Sequence, residues 1–189
     1  MSPYFKYLPI AIFTLTLLTV ACSNNDDEEE NIVELINTDG FTTSNTDVAL
    51  PETSFGNETE CKQSEDDDFN AEFLALVNQH RKSIGLSEFS SSTIANYLAF
   101  KHTKYMICTK DFNHTNFGEI GTILRETEKS KGTAENIIVG YSTPQKMLEG
   151  WLSSPGHKKN IENPSYEYTG FSAIKVNNNY WATQNFYSK

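Results

Sequence analysis

The 189-residue chain has no apolar run long enough for an ordinary membrane-spanning helix. The longest, from Tyr7 to Ala21, falls short of the ~18–20 residues such a helix needs. There are three cysteines, none in a C-x-x-C or zinc-knuckle spacing, so no sulfur-ligated zinc site of the usual kind is encoded. Neither G-x-S-x-G nor H-E-x-x-H occurs, so the sequence supplies no nucleophile elbow and no helix-borne zinc-protease motif. Internal repeats are absent. Basic residues are outnumbered 15 to 25, giving a formal charge of −10, which disfavours the phosphate backbone of a nucleic acid as partner. With 38% hydrophobic and 12% aromatic residues, the chain is nevertheless too apolar to be disordered throughout.

The charge is uneven and divides the chain into three parts. Residues 1–21 carry only Lys6, as a short basic head before the apolar run. That pattern suits a secretory signal core, which is removed on export. The run ends Leu17-Leu18-Thr19-Val20-Ala21-Cys22. These residues resemble the lipobox of bacterial lipoproteins, with Thr19 where leucine is usual. The resemblance implies a lipidated Cys22 as the mature N-terminus and membrane attachment through it. Residues 22–68 hold 15 acids against Lys62, including the unbroken run Asp26–Glu30 and a second run, Glu65–Asp68. Such a segment repels itself and extends, so it is expected to be an acidic tether. Its acidic start is similar to that of some surface-displayed Gram-negative lipoproteins. This implies an outer-membrane lipoprotein at the cell surface, with a spacer facing the periplasm as the alternative.

Residues 69–189 are expected to fold as the working domain, and they are mildly basic. Phe69, Phe73, Leu76, Val77 and Ile84 follow helical spacing, with Gly85 placed to stop the helix. Ser90–Ser92 offers an N-cap to a second helix running to about Ile107, an antiparallel neighbour of the first. After an irregular middle, Thr143-Pro144 opens a third helix, which Pro155-Gly156 is expected to stop. From Phe171 onward the period changes to that of strands, with Asn177–Asn179 as a hairpin turn. Helices first and strands last indicate α+β, with helices packed over a small antiparallel sheet. With Cys22 lipidated, Cys61 and Cys108 form an even pair at ends that such helices bring together, so a disulfide is expected.

The four histidines all lie in this domain. His102 falls on the apolar side of the second helix and reads as a hydrogen-bonded structural residue; His80 reads as a surface helix residue. His114 and His157 sit beside turn residues, where function concentrates. Between them is Ala134-Glu135-Asn136-Ile137, an acid followed by an apolar run, and such an acid needs a polar cleft or a partner. Ser153 and Ser154 precede His157, but serine before Pro-Gly is ordinary turn chemistry. The N-x-T triplets at Asn57 and Asn113 read as chance in a bacterial chain.

In order along the chain, Phe73–Arg81, then Ala95, Ala99, His102 and Met106, then Asn113-His114-Thr115, Ala134–Ile137, Trp151 with Ser154–Ile161, and Tyr180–Phe186 resemble the CAP superfamily. That superfamily comprises cysteine-rich secretory, antigen 5 and pathogenesis-related proteins, and the S-P-G-H segment is similar to its bacterial branch. The resemblance implies an α-β-α sandwich with a cleft where two histidines and two glutamates converge. Carried over, these are His114, His157 and Glu135, with Glu119 as the candidate for the second carboxylate and Glu149 a weaker one. His114, His157 and Glu135 are then the expected ligands of zinc or another divalent metal, where the family binds one.

Three functions stay open: a tethered module binding a lipid, cell-wall glycan or peptide; a metal-assisted hydrolase using the same cleft; and a cell-surface interaction protein whose cleft is vestigial.

Overall fold

The computed structural model describes residues 41, 48–55 and 61–189. The expected signal segment, Cys22, the Asp26–Glu30 run and Asn57 lie outside the described residues. Among the described residues no helix is long and apolar enough to cross a membrane.

The elements are α1 (Asp67–Ser83), β1 (Ser90–Ser91), α2 (Thr93–Thr109), α3 (Phe117–Glu128), β2 (Gly132–Tyr141), α4 (Pro144–Ser153), α5 (Pro155–Ile161), β3 (Tyr168–Val176) and β4 (Asn179–Ser188). One four-stranded sheet has the order β1-β3-β4-β2. The β3–β4 hairpin and the β2–β4 pair are antiparallel, while the two residues of β1 join β3 in parallel, so the sheet is mixed. The fold class is α+β.

Local chemistry sets the helix ends. Asp66 caps α1, its carboxylate accepting from Phe69 N at 3.0 Å, and also accepts the Tyr180 hydroxyl at 2.6 Å. Gly85, at φ +80°, turns the chain out of α1, and Leu86 N returns to Arg81 O at 3.0 Å. Ser92 caps α2 and Thr143 caps α4, as the sequence indicates. Pro155 does not simply stop α4: it starts α5, with Ser154 (φ −96°, ψ 118°) ending one helix and opening the next. The expected irregular middle contains α3, whose Ile120, Ile123 and Leu124 are buried at helical spacing.

The sheet separates two cores. On one face Phe73 and Trp151 meet edge to face at 5.2 Å, within a cluster that joins α1, α4 and α5 to Phe171, Ala182 and Phe186. On the other face α2 and α3 pack with Ile174 and Tyr187. Burying each such large side chain contributes ~1.5–3 kcal/mol. The first two helices are thus not packed as antiparallel neighbours. They cover opposite faces, because the apolar stripe of each finds a sheet face to bury.

Two aromatics from the segment expected to be pure tether belong to the second core. Phe41 packs on Tyr97 and Phe100 at 5.4 and 5.8 Å, and Phe55 meets the edge of His102 at 6.3 Å. The Cys61–Cys108 disulfide forms, with a Cα–Cα distance of 5.8 Å. Phe41, Phe55 and Cys61 therefore lie against the domain, so the ordered contacts begin before Phe69.

Candidate functional site

The site is built around the edge strand β2. Successive strand residues point to opposite sheet faces, and two neighbours in β2 use this to hold two separate elements. Glu135 faces α2, and its Oε1 lies 2.7 Å from His114 Nδ1. Asn136 faces the other way: its Nδ2 donates to His157 O at 3.1 Å, and its Oδ1 accepts from Asn160 Nδ2 at 2.8 Å. One dipeptide thus holds the loop carrying His114 and the helix carrying His157.

The edge itself is covered. Tyr166 Oη donates to Thr133 O at 3.4 Å, Asn160 Nδ2 to Glu135 O at 3.4 Å, and Trp151 Nε1 to Ile137 O at 3.3 Å. Three outward carbonyls of β2 are met by side chains of α4, α5 and the segment after α5, which blunts the edge against strand addition. Buried Arg81 secures that region by donating to Ile161 O at 2.7 Å, Asn163 O at 3.1 Å and Tyr166 O at 3.3 Å, with its guanidinium 3.7 Å above the Phe89 ring.

His114 is placed by the end of α2. Lys110 adopts the left-handed region at φ 58°, and Asp111 N closes back on Met106 O at 3.1 Å. His102, fully buried, then ties the loop: its Nε2 is 2.9 Å from Asn113 O and its Nδ1 3.2 Å from Asn116 Nδ2. Donation from Nε2 and acceptance at Nδ1 satisfy both partners with a neutral ring. Burial likewise pushes the His102 pKa down, against the opposing pull of Glu135 3.8 Å away.

The electrostatics of the open pair are different. The Glu135 side chain is 1% exposed and that of His114 is 52% exposed. The hydrogen bond to Glu135 raises the His114 pKa. His157 is pushed down by burial and then by the charge of His114. The arrangement therefore shifts half-exposed His114 towards its protonated form and His157 towards its neutral form.

The candidates for a second carboxylate each have a hydrogen-bond partner of their own. Both Glu119 oxygens are engaged by Ser54, one accepting its backbone N–H at 2.7 Å and the other its hydroxyl. Glu149 accepts from Gln145 Nε2 at 2.9 Å along the exposed side of α4. Ser153 spends its hydroxyl on Gly150 O at 2.7 Å, a turn bond as expected. His80 pairs with Glu162 at 2.8 Å, both side chains partly buried. Among the described residues, no three His, Cys, Asp or Glu side chains are grouped so as to hold a metal ion. The structure thus joins His114 to Glu135, ties the backbone of His157 to the neighbouring Asn136 and adds His102, while Glu119 is engaged by Ser54 and Glu149 by Gln145. Sequence reasoning missed Asn136 and Asn160 as holders of the site. Their only signal was polar identity at positions a strand and a helix end would otherwise fill with apolar residues.

Comparison with known proteins gives a consistent picture. The family described as cysteine-rich secretory protein family, CAP, matches residues 74–186. The chain is 27% identical over 124 residues to the uncharacterized protein YkwD of Bacillus subtilis, covering 64% of this chain and 48% of that protein. It is 30% identical over 118 residues to the uncharacterized membrane protein YlbC of the same organism, covering 61% and 33%. The chain thus spans less than half the length of these curated relatives. Among solved structures, an extracellular SCP-domain protein of Bacillus anthracis superposes with TM-score 0.58 at 26% identity, covering 75% of this chain and 45% of that one. An outer surface protein of Borrelia burgdorferi superposes with TM-score 0.61 at 18% identity, covering 68% and 98%, a likeness of fold.

Proposed function

The chain belongs to the CAP family, and on that premise we propose that it is an envelope-tethered binding module whose cleft takes a lipid, cell-wall glycan or peptide ligand. The observation that carries this reading is the His114–Glu135 pair: a buried carboxylate grips a half-exposed imidazole at 2.7 Å. A protonated ring held in that way offers a fixed donor and positive charge to a carboxylate, phosphate or carbonyl on a ligand. Binding is favoured over hydrolysis because the nearby serine hydroxyl of Ser153 is bonded to its own helix, so no activated nucleophile is assembled there. Among the described residues no three His, Cys, Asp or Glu side chains are grouped to hold a metal ion, so the reading rests on the His114–Glu135 pair alone. A vestigial cleft is disfavoured because Glu135 holds His114 on one face of β2 while Asn136 holds the His157 backbone on the other.

Attachment through a lipidated Cys22 at the outer membrane, with surface display, is part of the same proposal. It is supported by the Leu17–Cys22 pattern and by relatives described as outer surface and extracellular proteins.

The test is native mass spectrometry and thermal shift of the purified protein against phospholipids, muropeptides and short peptides. A ligand whose binding is lost in His114→Ala supports the reading. No bound species and no shift across all three classes sinks it. Full binding in His114→Ala moves the ligand to another surface.

A further inference from the structure

Among the described residues, five buried side-chain atoms have no hydrogen-bonding partner in the protein: Glu135 Oε2, Ser172 Oγ, Gln184 Oε1, and both Oδ1 and Nδ2 of Asn185. Buried polar atoms are nearly always satisfied, so a concentration of exceptions points to an unaccounted interaction. Three of the five fall on one cross-strand pair. Glu135 and Asn185 are register partners between β2 and β4, so their side chains leave the sheet on the same side with Cβ atoms ~4.5–5.5 Å apart.

That side is the one under α2. The other partner of Asn185 is Gly170, where an added Cβ would stand 2.0 Å from the Ala95 backbone carbon of α2. Thr183, two residues before Asn185, accepts from Thr103 of α2 at 2.8 Å. Glu135 Oε1 lies 3.8 Å from His102 of the same helix. Gln184 points to the opposite face, where it donates to Thr169 Oγ1, and is not part of the group. The carboxylate of the cleft and the carboxamide of Asn185 therefore share a sealed layer between α2 and the sheet, each with an unmet polar atom and no direct bond between them.

Their valences are complementary. A water accepting from Asn185 Nδ2 and donating to Glu135 Oε2 satisfies a donor and an acceptor that nothing else in the protein reaches. We infer that Asn185 is a positioning residue for Glu135, holding its inner oxygen through one shared internal water and so fixing the carboxylate that grips His114. Anchored at both oxygens, the carboxylate cannot rotate about its terminal bond, and Oε1 stays aimed at the loop. This concerns the protein's own cleft and holds whichever ligand the cleft takes.

The experiment uses the unliganded protein and the near-isosteric pair Asn185→Thr and Asn185→Val, which differ by a hydroxyl against a methyl. In the unaltered protein, water cross-relaxation to the Asn185 amide protons, or a high-resolution crystal structure, is expected to show one internal water within hydrogen-bonding distance of both side chains. The Glu135 carboxyl ¹³C and His114 ring ¹⁵N signals are expected to stay near their original positions in Asn185→Thr. Both are expected to move in Asn185→Val, with loss of the water and an otherwise unchanged amide spectrum. Unmoved signals in Asn185→Val, or Val and Thr variants that shift alike, overturn the inference. Should Asn185→Val not fold, the water measurement on the unaltered protein decides alone, and finding no shared water overturns it.

Discussion

His114 Nδ1 lies 2.7 Å from Glu135 Oε1, joining a loop residue that is half in solvent to a strand residue that is wholly buried. The pair makes the outer residue's charge depend on the inner one. Glu135→Gln is therefore expected to lower the His114 pKa from its raised value towards 6.5, since the hydrogen bond to Glu135 is the main cause of the rise. An imidazole titration by NMR checks this; an unmoved midpoint would show that another group charges the ring.

Acid is expected to destabilise the fold through His102. Burial holds its folded pKa below the unfolded value of 6.5, so the unfolded chain binds more protons as the pH falls. The stability that a neutral His102 contributes is full above pH 6.5 and is lost as the pH falls from there towards the folded value. His157, also lowered, has the same sign, and His114, raised, has the opposite one. The deeply buried ring dominates, so melting temperature should drop below pH 6.5, and the drop should be shallower in His102→Gln. Equal slopes in the two proteins would remove His102 as the cause.

Opening the Cys61–Cys108 bridge, across a separation of 47 residues, is expected to cost about 2–4 kcal/mol. Chemical denaturation of Cys61→Ser/Cys108→Ser against the oxidised protein measures it. The same change should loosen residues 48–55, whose Phe55 rests on His102.

Glu119 secures that segment by accepting both Ser54 donors. Glu119→Gln is expected to quicken proteolytic nicking around Ser54, at a stability cost near 1 kcal/mol, while leaving ligand binding at His114 unchanged. A loss of binding as large as that in His114→Ala would instead return Glu119 to the cleft.

Gly170 is where α2 and β3 come closest. Gly170→Ala is expected to cost about 4 kcal/mol or more, because its Cβ would fall 2.0 Å from backbone that cannot give way. Gly118→Ala in α3 meets nothing within 4 Å and should be neutral or stabilising by up to about 1 kcal/mol. Thermal melts of the two variants make the contrast.

Much of the local structure could be read directly from the chain. The Phe69–Phe73–Val77 spacing, the Ser92 and Thr143 caps, Gly85 as a stop and the Asn177–Asn179 turn are short-range chemistry, and each stands where it was expected. An acid before an apolar run needs a partner once buried, and Glu135 finds it in His114, a convergence that only the family resemblance implied. α3 escaped notice because its burial rests on only Ile120, Ile123 and Leu124.

What only the tertiary structure decided is which side of the sheet each residue faces. A strand residue's side depends on register, and register depends on partners far away in sequence. That is why α1 and α2 cover opposite faces, and other contacts between residues far apart in sequence draw Phe41 and Phe55 onto α2 and Ser54 to Glu119. Register is also why Asn185, unremarkable in sequence, lies under α2 opposite the carboxylate that holds His114. The sequence by itself determined which residues need partners; the sheet's register determined which partners they meet.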